Sequence, residues 1–279
     1  MNLIERTRDF FDRQPCNVRH GEAPVGTALW SHQVTTRRYW VESHIPDFAD
    51  FRHWQGKRVL ELGCGIGTDT LQFAKFAEHV DAVDISKASL ELAIKRAALS
   101  SYTNIGFYEG NIEDPLPFTA NEWNTYDLVY SFGVLHHTPH PEAALQNAHK
   151  FLKPNGELRI MLYAKWSYKR LMGHQPEAQS NCPLVRWYSV AGARRLVETC
   201  GFEVTSIEKR HIFPWRVDDY IQHHYVKAFP WNIVPHRSFE SILGHHLLVK
   251  ARLRSPKTSA TTTASVGTTP RPTTGTSKF

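Results

Sequence analysis

The chain has 279 residues, of which 41% are hydrophobic, so it can bury a full core and predicts a single α/β domain with additions. No stretch approaches the length of an apolar membrane span, and the charged start lacks a signal-peptide centre, which predicts a cytoplasmic protein without membrane attachment. The formal charge is +6, but residues 254–279 supply four basic residues and no acid, so the folded part is nearly balanced and no nucleic-acid partner is expected. The four cysteines are scattered without C-x-x-C spacing, and neither a metal site nor a disulfide framework is expected.

The region before the first predicted strand covers residues 1–55. Its second half contains the run VTTRRYWVESHIPDFADF, which starts at Val34 and has apolar residues at helical spacing. This pattern predicts an amphipathic helix that leads to a break at Pro46.

The run VLELGCGIG, which starts at position 59, joins an apolar strand to a glycine-rich turn. The strand ends in Glu61, and the chain then passes through Gly63, Gly65 and Gly67. Glycines permit positive φ and let backbone N–H groups approach a ligand closely. A second apolar run, HVDAVDI, reaches Asp84 seventeen residues after the last glycine, and a carboxylate at this spacing can accept both hydroxyls of a ribose. Together these features predict a nucleoside site.

Strand-like and helix-like segments alternate after this turn, which predicts a parallel sheet. Thr68 and Ser86 are capping residues at the starts of two of the predicted helices. The predicted helices are Thr68–Phe76, Lys87–Leu99 and Val190–Cys200, and the further predicted strands are Asn104–Tyr108, Tyr126–Phe132, Glu157–Tyr163, Phe202–Ile207 and His245–Leu253.

Three features together resemble the class I S-adenosylmethionine-dependent methyltransferases. They are the motif E-L-G-C-G-I-G, Asp84 at the end of a strand, and the block DLVYSFGVLHH. The resemblance runs from about Val59 to Tyr163 and continues more weakly to Leu253. Dinucleotide-binding enzymes have the longer spacing G-x-G-x-x-G instead. The resemblance implies an α/β fold with a doubly wound, seven-stranded, mostly parallel sheet whose last strand lies antiparallel between the fifth and the sixth.

The resemblance also implies a domain organisation. Residues 1–55 would form a helical lid, and residues 56–253 would form the S-adenosylmethionine-binding domain. Two insertions, residues 164–188 and 209–244, would form a cap over the substrate. Residues 254–279 are rich in Thr, Ser, Pro and Gly, so they are expected to be disordered.

The cofactor implied by the resemblance is S-adenosyl-L-methionine, whose methionine and ribose parts would lie above the glycine turn. Glu61 would fix the turn or receive ammonium donors, and Asp84 would accept the two ribose hydroxyls. Asn111 stands where the family often has an acid that accepts from the adenine amino group, and its amide oxygen can accept the same bond, with Glu113 and Asp114 as substitutes. The residues expected to bind the cofactor are Glu61, Gly63, Gly65, Gly67, Asp84, Ile85, Asn111, Ile112 and Ser131.

His136 and His137 follow the fourth predicted strand, where the family's acceptor often approaches the methyl group. A sulfonium methyl is already electrophilic, so the enzyme mainly has to align the acceptor with the sulfur and exclude water. If the acceptor is a hydroxyl or an ammonium group, one of these histidines is the expected general base. In the alternative interpretation, one histidine packs against its loop and the other is solvated.

The second insertion is unusually aromatic. Aromatic side chains suit a pocket for a flat or cationic small molecule, and they equally suit an ordinary hydrophobic cover. The aromatic and histidine residues of this segment include His211, Phe213, Trp215, Tyr220, His223, His224, Tyr225, Phe229 and Trp231.

The sequence therefore favours a methyltransferase that acts on a nitrogen, oxygen or sulfur atom of a small molecule. Two alternatives stay open. One is a protein that binds the cofactor without turnover, and the other is an NAD-dependent oxidoreductase on the same sheet, against which the short glycine spacing argues. The identity of the acceptor and the oligomeric state do not follow from the sequence pattern.

Overall fold

The computed structural model describes residues 1–118, 123–171, 182–212, 215–219, 224–227 and 236–255. The strands in chain order are β1 (Arg58–Leu62), β2 (His79–Asp84), β3 (Ile105–Glu109), β4 (Tyr126–Phe132), β5 (Leu152–Tyr163), β6 (Phe202–Arg210), β7 (Trp215–Asp219), β8 (His224–Lys227) and β9 (His246–Leu253). The helices are α1 (Leu3–Arg13), α2 (Ala28–Val41), α3 (Ile45–Ala49), α4 (Thr68–Ala74), α5 (Lys87–Leu99), α6 (Pro141–Phe151), α7 (Tyr168–Leu171), α8 (Val190–Thr199) and α9 (His236–Leu243).

The central sheet has seven strands in the order β3-β2-β1-β4-β5-β9-β6, and β7 pairs with β8 in a separate hairpin. Strand β9 runs antiparallel to both of its neighbours, β5 and β6, and the other neighbouring pairs are parallel. The predicted doubly wound α/β sheet, with its antiparallel last strand between the fifth and sixth, is therefore confirmed. The strand order reverses between β1 and β4, and ligands of such sheets bind outside the carboxyl ends of the strands at this point.

Side chains of successive strand residues point to opposite faces of the sheet, and each face has its own core. On one face, Leu60 and Leu62 of β1 pack in a cluster with Leu145 and Phe151 of α6. On the other face, Val59 of β1 belongs to a cluster that includes α3, α4 and the inner strands. Both faces are therefore covered by helices, which leaves the edge of the sheet as the place for a ligand.

The helix starts follow from short-range capping. Ser86 accepts a hydrogen bond from the Ser89 backbone N–H at 3.1 Å, and α5 has the predicted bounds. At α1, the Asn2 side chain accepts from the Glu5 N–H and the Glu5 carboxylate accepts from the Asn2 N–H, each at 2.8 Å. This capping box is visible in the sequence, although α1 itself is not among the predicted helices.

The helix predicted from Val34 to a break at Pro46 has different bounds. Helix α2 begins at Ala28, where Thr27 accepts from the Trp30 N–H at 3.2 Å. Pro46 lies in the first turn of the separate helix α3 and does not terminate α2. Proline is tolerated at this position because the first-turn N–H groups have no intrahelical acceptor.

The strand bounds differ mainly at polar ends. The Tyr126–Phe132 strand has the predicted bounds, whereas β5 begins at Leu152 and β6 continues to Arg210. Both extensions carry polar residues, which pattern alone excludes. In β6 these residues pair with β9, whereas in β5 only Leu152 is paired and the residues up to Gly156 form an irregularity in the register. Within the described part of the chain, none of the helices combines the length and the apolar character that crossing a bilayer requires.

Candidate cofactor and acceptor site

The glycine turn after β1 has the conformation that its sequence predicts. Gly63, Gly65 and Gly67 have φ angles of +80°, +54° and +74°, values that residues with a side chain rarely adopt. A Cβ atom on Gly63 would lie 2.2 Å from a methyl carbon of Val134, and one on Gly67 would lie 3.0 Å from the Cβ atom of Ala93. A Cβ atom on Gly65 would meet no described atom within 4 Å, because it faces an open cavity.

Asp84 stands at the end of β2 beside this turn. Its Oδ2 atom accepts the Gly65 N–H at 2.7 Å, and its Oδ1 atom accepts the Ser86 N–H at 2.9 Å. Burial raises the pKa of Asp84 to about 6, so the carboxyl is ionised at neutral pH. Each carboxylate oxygen has two acceptor sites, which leaves one on each oxygen for a ligand.

A cavity extends from Asp84 along the carboxyl edge of the sheet. Eight of the predicted site residues line it, namely Glu61, Gly63, Gly65, Asp84, Ile85, Asn111, Ile112 and His137. Gly67, Ser131 and His136 are not among the described residues of this lining. Ser131 is fully buried and donates its hydroxyl to the Leu62 carbonyl at 2.8 Å, which fixes two neighbouring strands where they end.

Asn111 is nine-tenths buried in this lining, and its side chain organises the following loop. Its Oδ1 atom accepts the Glu113 N–H at 3.2 Å, and its Nδ2 atom donates to Asp114 at 3.1 Å. Glu113 in turn accepts the His140 N–H at 2.6 Å. The two alternative acceptors named from sequence are thus engaged with the protein, and the contact of Asn111 with adenine stays a prediction.

A second group of charges lies at the other side of the glycine turn, and Arg38 and Asp69 of this group were not among the predicted site residues. Asp69 accepts from the Tyr39 hydroxyl at 2.8 Å and pairs with Arg38 at 3.3 Å. Burial raises the pKa of Glu61 well above its ordinary value, and the negative charge of Asp69 raises it further. Burial lowers the pKa of Arg38, but Asp69 and Glu42 more than offset this and hold the guanidinium charged. Three buried acids, Glu61, Asp69 and Asp84, and the cation Arg38 therefore line the same cavity.

The N-terminal helix α1 forms part of the cavity wall. Ile4, Thr7 and Phe11 of this helix line the cavity. The Oδ1 atom of Asp12 accepts the Ser86 hydroxyl at 2.8 Å and the Ala88 N–H at 3.1 Å, so α1 is tied to the start of α5. The capping box indicates that α1 is a helix, but no sequence pattern indicates its contact with α5, because Asp12 and α5 are far apart in the chain.

The structure separates the two predicted catalytic histidines. The ring of His136 is enclosed and stacks on Tyr163 with 3.6 Å between ring centroids. His137 lines the cavity, and its Nδ1 atom lies 2.7 Å from the Leu184 carbonyl oxygen. A carbonyl only accepts, so Nδ1 carries the proton and Nε2 has the lone pair. Burial lowers the pKa of both rings, which keeps them neutral at physiological pH.

The predicted aromatic cap falls largely outside what the structure describes. Of the residues named there, only His211 has a described side chain. It is buried and follows directly after β6, with its backbone at a φ of +66°. The predicted disordered tail likewise lies outside the described residues beyond position 255.

Residues 53–210, more than half of the chain, match a family model described as a methyltransferase domain, and the chain belongs to this family. The sheet order and the site at its carboxyl edge place it in class I, whose members use S-adenosylmethionine as the cofactor.

Named relatives match only part of the chain. Phosphoethanolamine N-methyltransferase 2 of Caenorhabditis elegans is 31% identical over 122 residues, which are 43% of this chain and 26% of the relative. The mitochondrial ubiquinone biosynthesis O-methyltransferase of Schizosaccharomyces pombe is 30% identical over 128 residues, which are 45% of this chain and 44% of the relative. The chain thus spans less than half of the length of these curated relatives.

A solved structure shares the fold over most of the chain. Magnesium protoporphyrin IX methyltransferase from Synechocystis PCC 6803, solved with bound S-adenosylmethionine, has a TM-score of 0.57 to this protein. The match covers 91% of this chain and 98% of the other at 15% identity, so it is a likeness of fold.

Proposed function

We propose that the protein transfers the methyl group of S-adenosylmethionine to a nitrogen, oxygen or sulfur atom of a small-molecule acceptor. The observation that carries the proposal is that one cavity is lined both by Asp84 at the ribose end and by His137 further along the sheet edge. The names of the two curated relatives support a small-molecule acceptor, since one is an N-methyltransferase and the other an O-methyltransferase of small molecules.

The lining suits each part of the cofactor. Asp84 would accept the two ribose hydroxyls through the acceptor sites that its backbone contacts leave open. Ile85 and Ile112 offer apolar surface for the adenine ring. The methionine end carries an ammonium and a carboxylate. The ammonium would favour the charged form of the buried Glu61 carboxyl, and Arg38 would lie near the carboxylate. The open space in front of Gly65 allows the cofactor to approach the backbone.

We further propose that α1 acts as a lid and that residues 1–55 serve the cofactor domain formed by residues 56–253. Helix α1 contributes apolar side chains to the cavity and is held to the cofactor side by Asp12. Closure of this helix would exclude water from the methyl group.

When bound, the cofactor supplies an electrophilic methyl group, and the protein has to orient the acceptor and remove its proton. His137 is the proposed general base. Its Nδ1 atom donates its proton to the Leu184 carbonyl, and this hydrogen bond fixes the ring. The Nε2 atom is then the one that would accept the proton of the acceptor. His136 is proposed to hold the loop in place, because its ring is enclosed against Tyr163.

The test is incubation of the purified protein with methyl-labelled S-adenosylmethionine and a metabolite extract, followed by mass identification of labelled products. The proposal predicts label in a small molecule with wild type and none with Asp84→Ala. Binding of the cofactor with no labelled product from any extract would favour the alternative of a protein without turnover.

A further inference from the structure

A cluster of buried histidines lies at the carboxyl edge of the sheet, next to the cavity. In the register of the sheet, His246 of β9 is paired with Tyr163 on β5 and with Arg210 on β6. His211 follows β6, and its ring lies nearly parallel to that of His246 with 4.5 Å between centroids. Glu42, which follows α2, lines the cavity and faces the same cluster.

Three side chains of this cluster bring potential ligand atoms close together. Glu42, His211 and His246 each offer one such atom, and these atoms lie within 4.8 Å of one another. The Nε2 atom of His246 is 3.8 Å from an oxygen of Glu42, which is too long for a hydrogen bond. Two ligands of a tetrahedral ion with bonds of about 2.1 Å are separated by about 3.4 Å, so small side-chain rotations would close the three atoms around an ion.

The ring of His246 is oriented by a further histidine. Its Nδ1 atom lies 3.0 Å from the Nε2 atom of His44. When Nδ1 donates to His44, the lone pair of His246 is on Nε2, which is the atom that faces Glu42. Metal-binding histidines commonly have such a partner on the second ring nitrogen.

Basic side chains surround the cluster, and most of them have acidic partners. Arg38 is paired with Asp69 at 3.3 Å and lies 3.9 Å from Glu42, and Arg210 is paired with Glu208 at 3.1 Å and with Glu240 at 3.6 Å. Lys169 also interacts with Glu42, so an ion at the cluster would have to replace Arg38 and Lys169 beside this carboxylate.

We propose that Glu42, His211 and His246 form a binding site for one divalent ion of the late first-row metals, with zinc as the reference ion. Two imidazoles and one carboxylate are a donor set that suits such ions and does not suit magnesium or calcium. Because Glu42 lines the cavity, the ion would stand at the cavity wall. The site follows from these side chains alone and does not depend on methyl transfer.

The test uses the full chain after treatment with a chelator and without cofactor. Titration with Co²⁺ should give a saturating visible absorption at one ion per chain, and added Zn²⁺ should abolish it. Glu42→Gln, His211→Gln and His246→Gln should each weaken the affinity by roughly 10-fold or more. His245→Gln is the matched control, since His245 is equally buried and adjacent in sequence but is not one of the three ligands, and it should retain wild-type affinity.

Each variant is also tested for binding of S-adenosylhomocysteine, so that loss of metal is not confused with loss of fold. The proposal is overturned if wild type shows no saturable Co²⁺ binding, or if all three ligand variants bind Co²⁺ as tightly as the control does. The first result would identify the cluster as a network of neutral histidines.

Discussion

Replacement of Asp84 by asparagine should weaken cofactor binding while leaving the free protein about as stable as before. In the free protein the pKa of Asp84 is raised from 3.8 to about 6, so ionisation of the buried carboxyl costs about 3 kcal/mol at neutral pH. Asparagine removes this cost. It also leaves the N–H of Gly65 or Ser86 facing an amide NH₂, which costs about 1–3 kcal/mol. The two effects nearly cancel, and the free energy of unfolding should change by no more than about 2 kcal/mol.

Cofactor binding has no such compensation. Hydrogen bonds to a charged group contribute about 1.5–3 kcal/mol each, against about 1 kcal/mol for neutral partners. An amide presents a single oxygen, so at least one ribose hydroxyl loses its acceptor. The expected loss is about 2–4 kcal/mol, or roughly 30- to 1,000-fold in Kd.

The assay is calorimetric titration with S-adenosylhomocysteine at pH 7.5, together with urea unfolding of the free protein. Asp127→Asn is a matched control, because Asp127 also accepts a backbone N–H, from Arg58 at 3.1 Å, but lies at the opposite end of β4. The control should bind as wild type does. Unchanged affinity in Asp84→Asn, or an equal loss in both variants, would refute the reasoning.

The raised pKa of Asp84 stabilises the free protein fully below about pH 4, and this stabilisation is lost as the pH rises through about 6. The affinity for S-adenosylhomocysteine should change in the opposite direction and fall below pH 6. In Asp84→Asn this affinity should no longer depend on pH, and calorimetry across pH 5–8 checks both dependences. Gly65→Ala should weaken binding at least roughly 10-fold. Gly56→Ala is the control, because Gly56 also has a positive φ (+67° against +54°) and no described atom within 4 Å of an added Cβ position; it should show only a destabilisation of about 1 kcal/mol in thermal unfolding, which Gly65→Ala should share. His137→Gln should lower kcat by roughly 100-fold or more with unchanged cofactor Kd if the acceptor must lose a proton, and an unaltered pH–rate profile would exclude the base. Asp12→Ala should remove about 1 kcal/mol of stability, because Asp12 caps the start of α5. It should also accelerate the release of S-adenosylhomocysteine in stopped-flow measurements. An unchanged release rate would exclude the role of α1 as a lid.

The sequence predicted those parts of the fold and site that depend on local chemistry. Ser86 caps α5 within three residues, and the bounds of that helix are as predicted. Asp84 and Gly65 meet because parallel neighbouring strands end at the same edge, a consequence of the alternating pattern. The family resemblance supplied the antiparallel position of β9, which no local pattern contains.

The parts that could not be predicted depend on contacts between distant segments. His246 lies beside His211 because β9 inserts next to β6, and Glu42 joins them from the segment after α2. The sequence separation of the three residues matches no metal motif. The distinction between His136 and His137 likewise depends on Leu184, which returns from a later loop to hold one ring. Sequence alone treats two adjacent histidines as equivalent.

Under the proposed function, the adenosyl group lies across the carboxyl edge of the sheet, against Asp84 and beneath α1. A crystal structure with S-adenosylhomocysteine would locate this group. We expect both ribose hydroxyls within hydrogen-bonding distance of the Asp84 carboxylate and the sulfur directed toward the side of His137. Density for the ligand at any other surface, or a ribose without contact to Asp84, would contradict it.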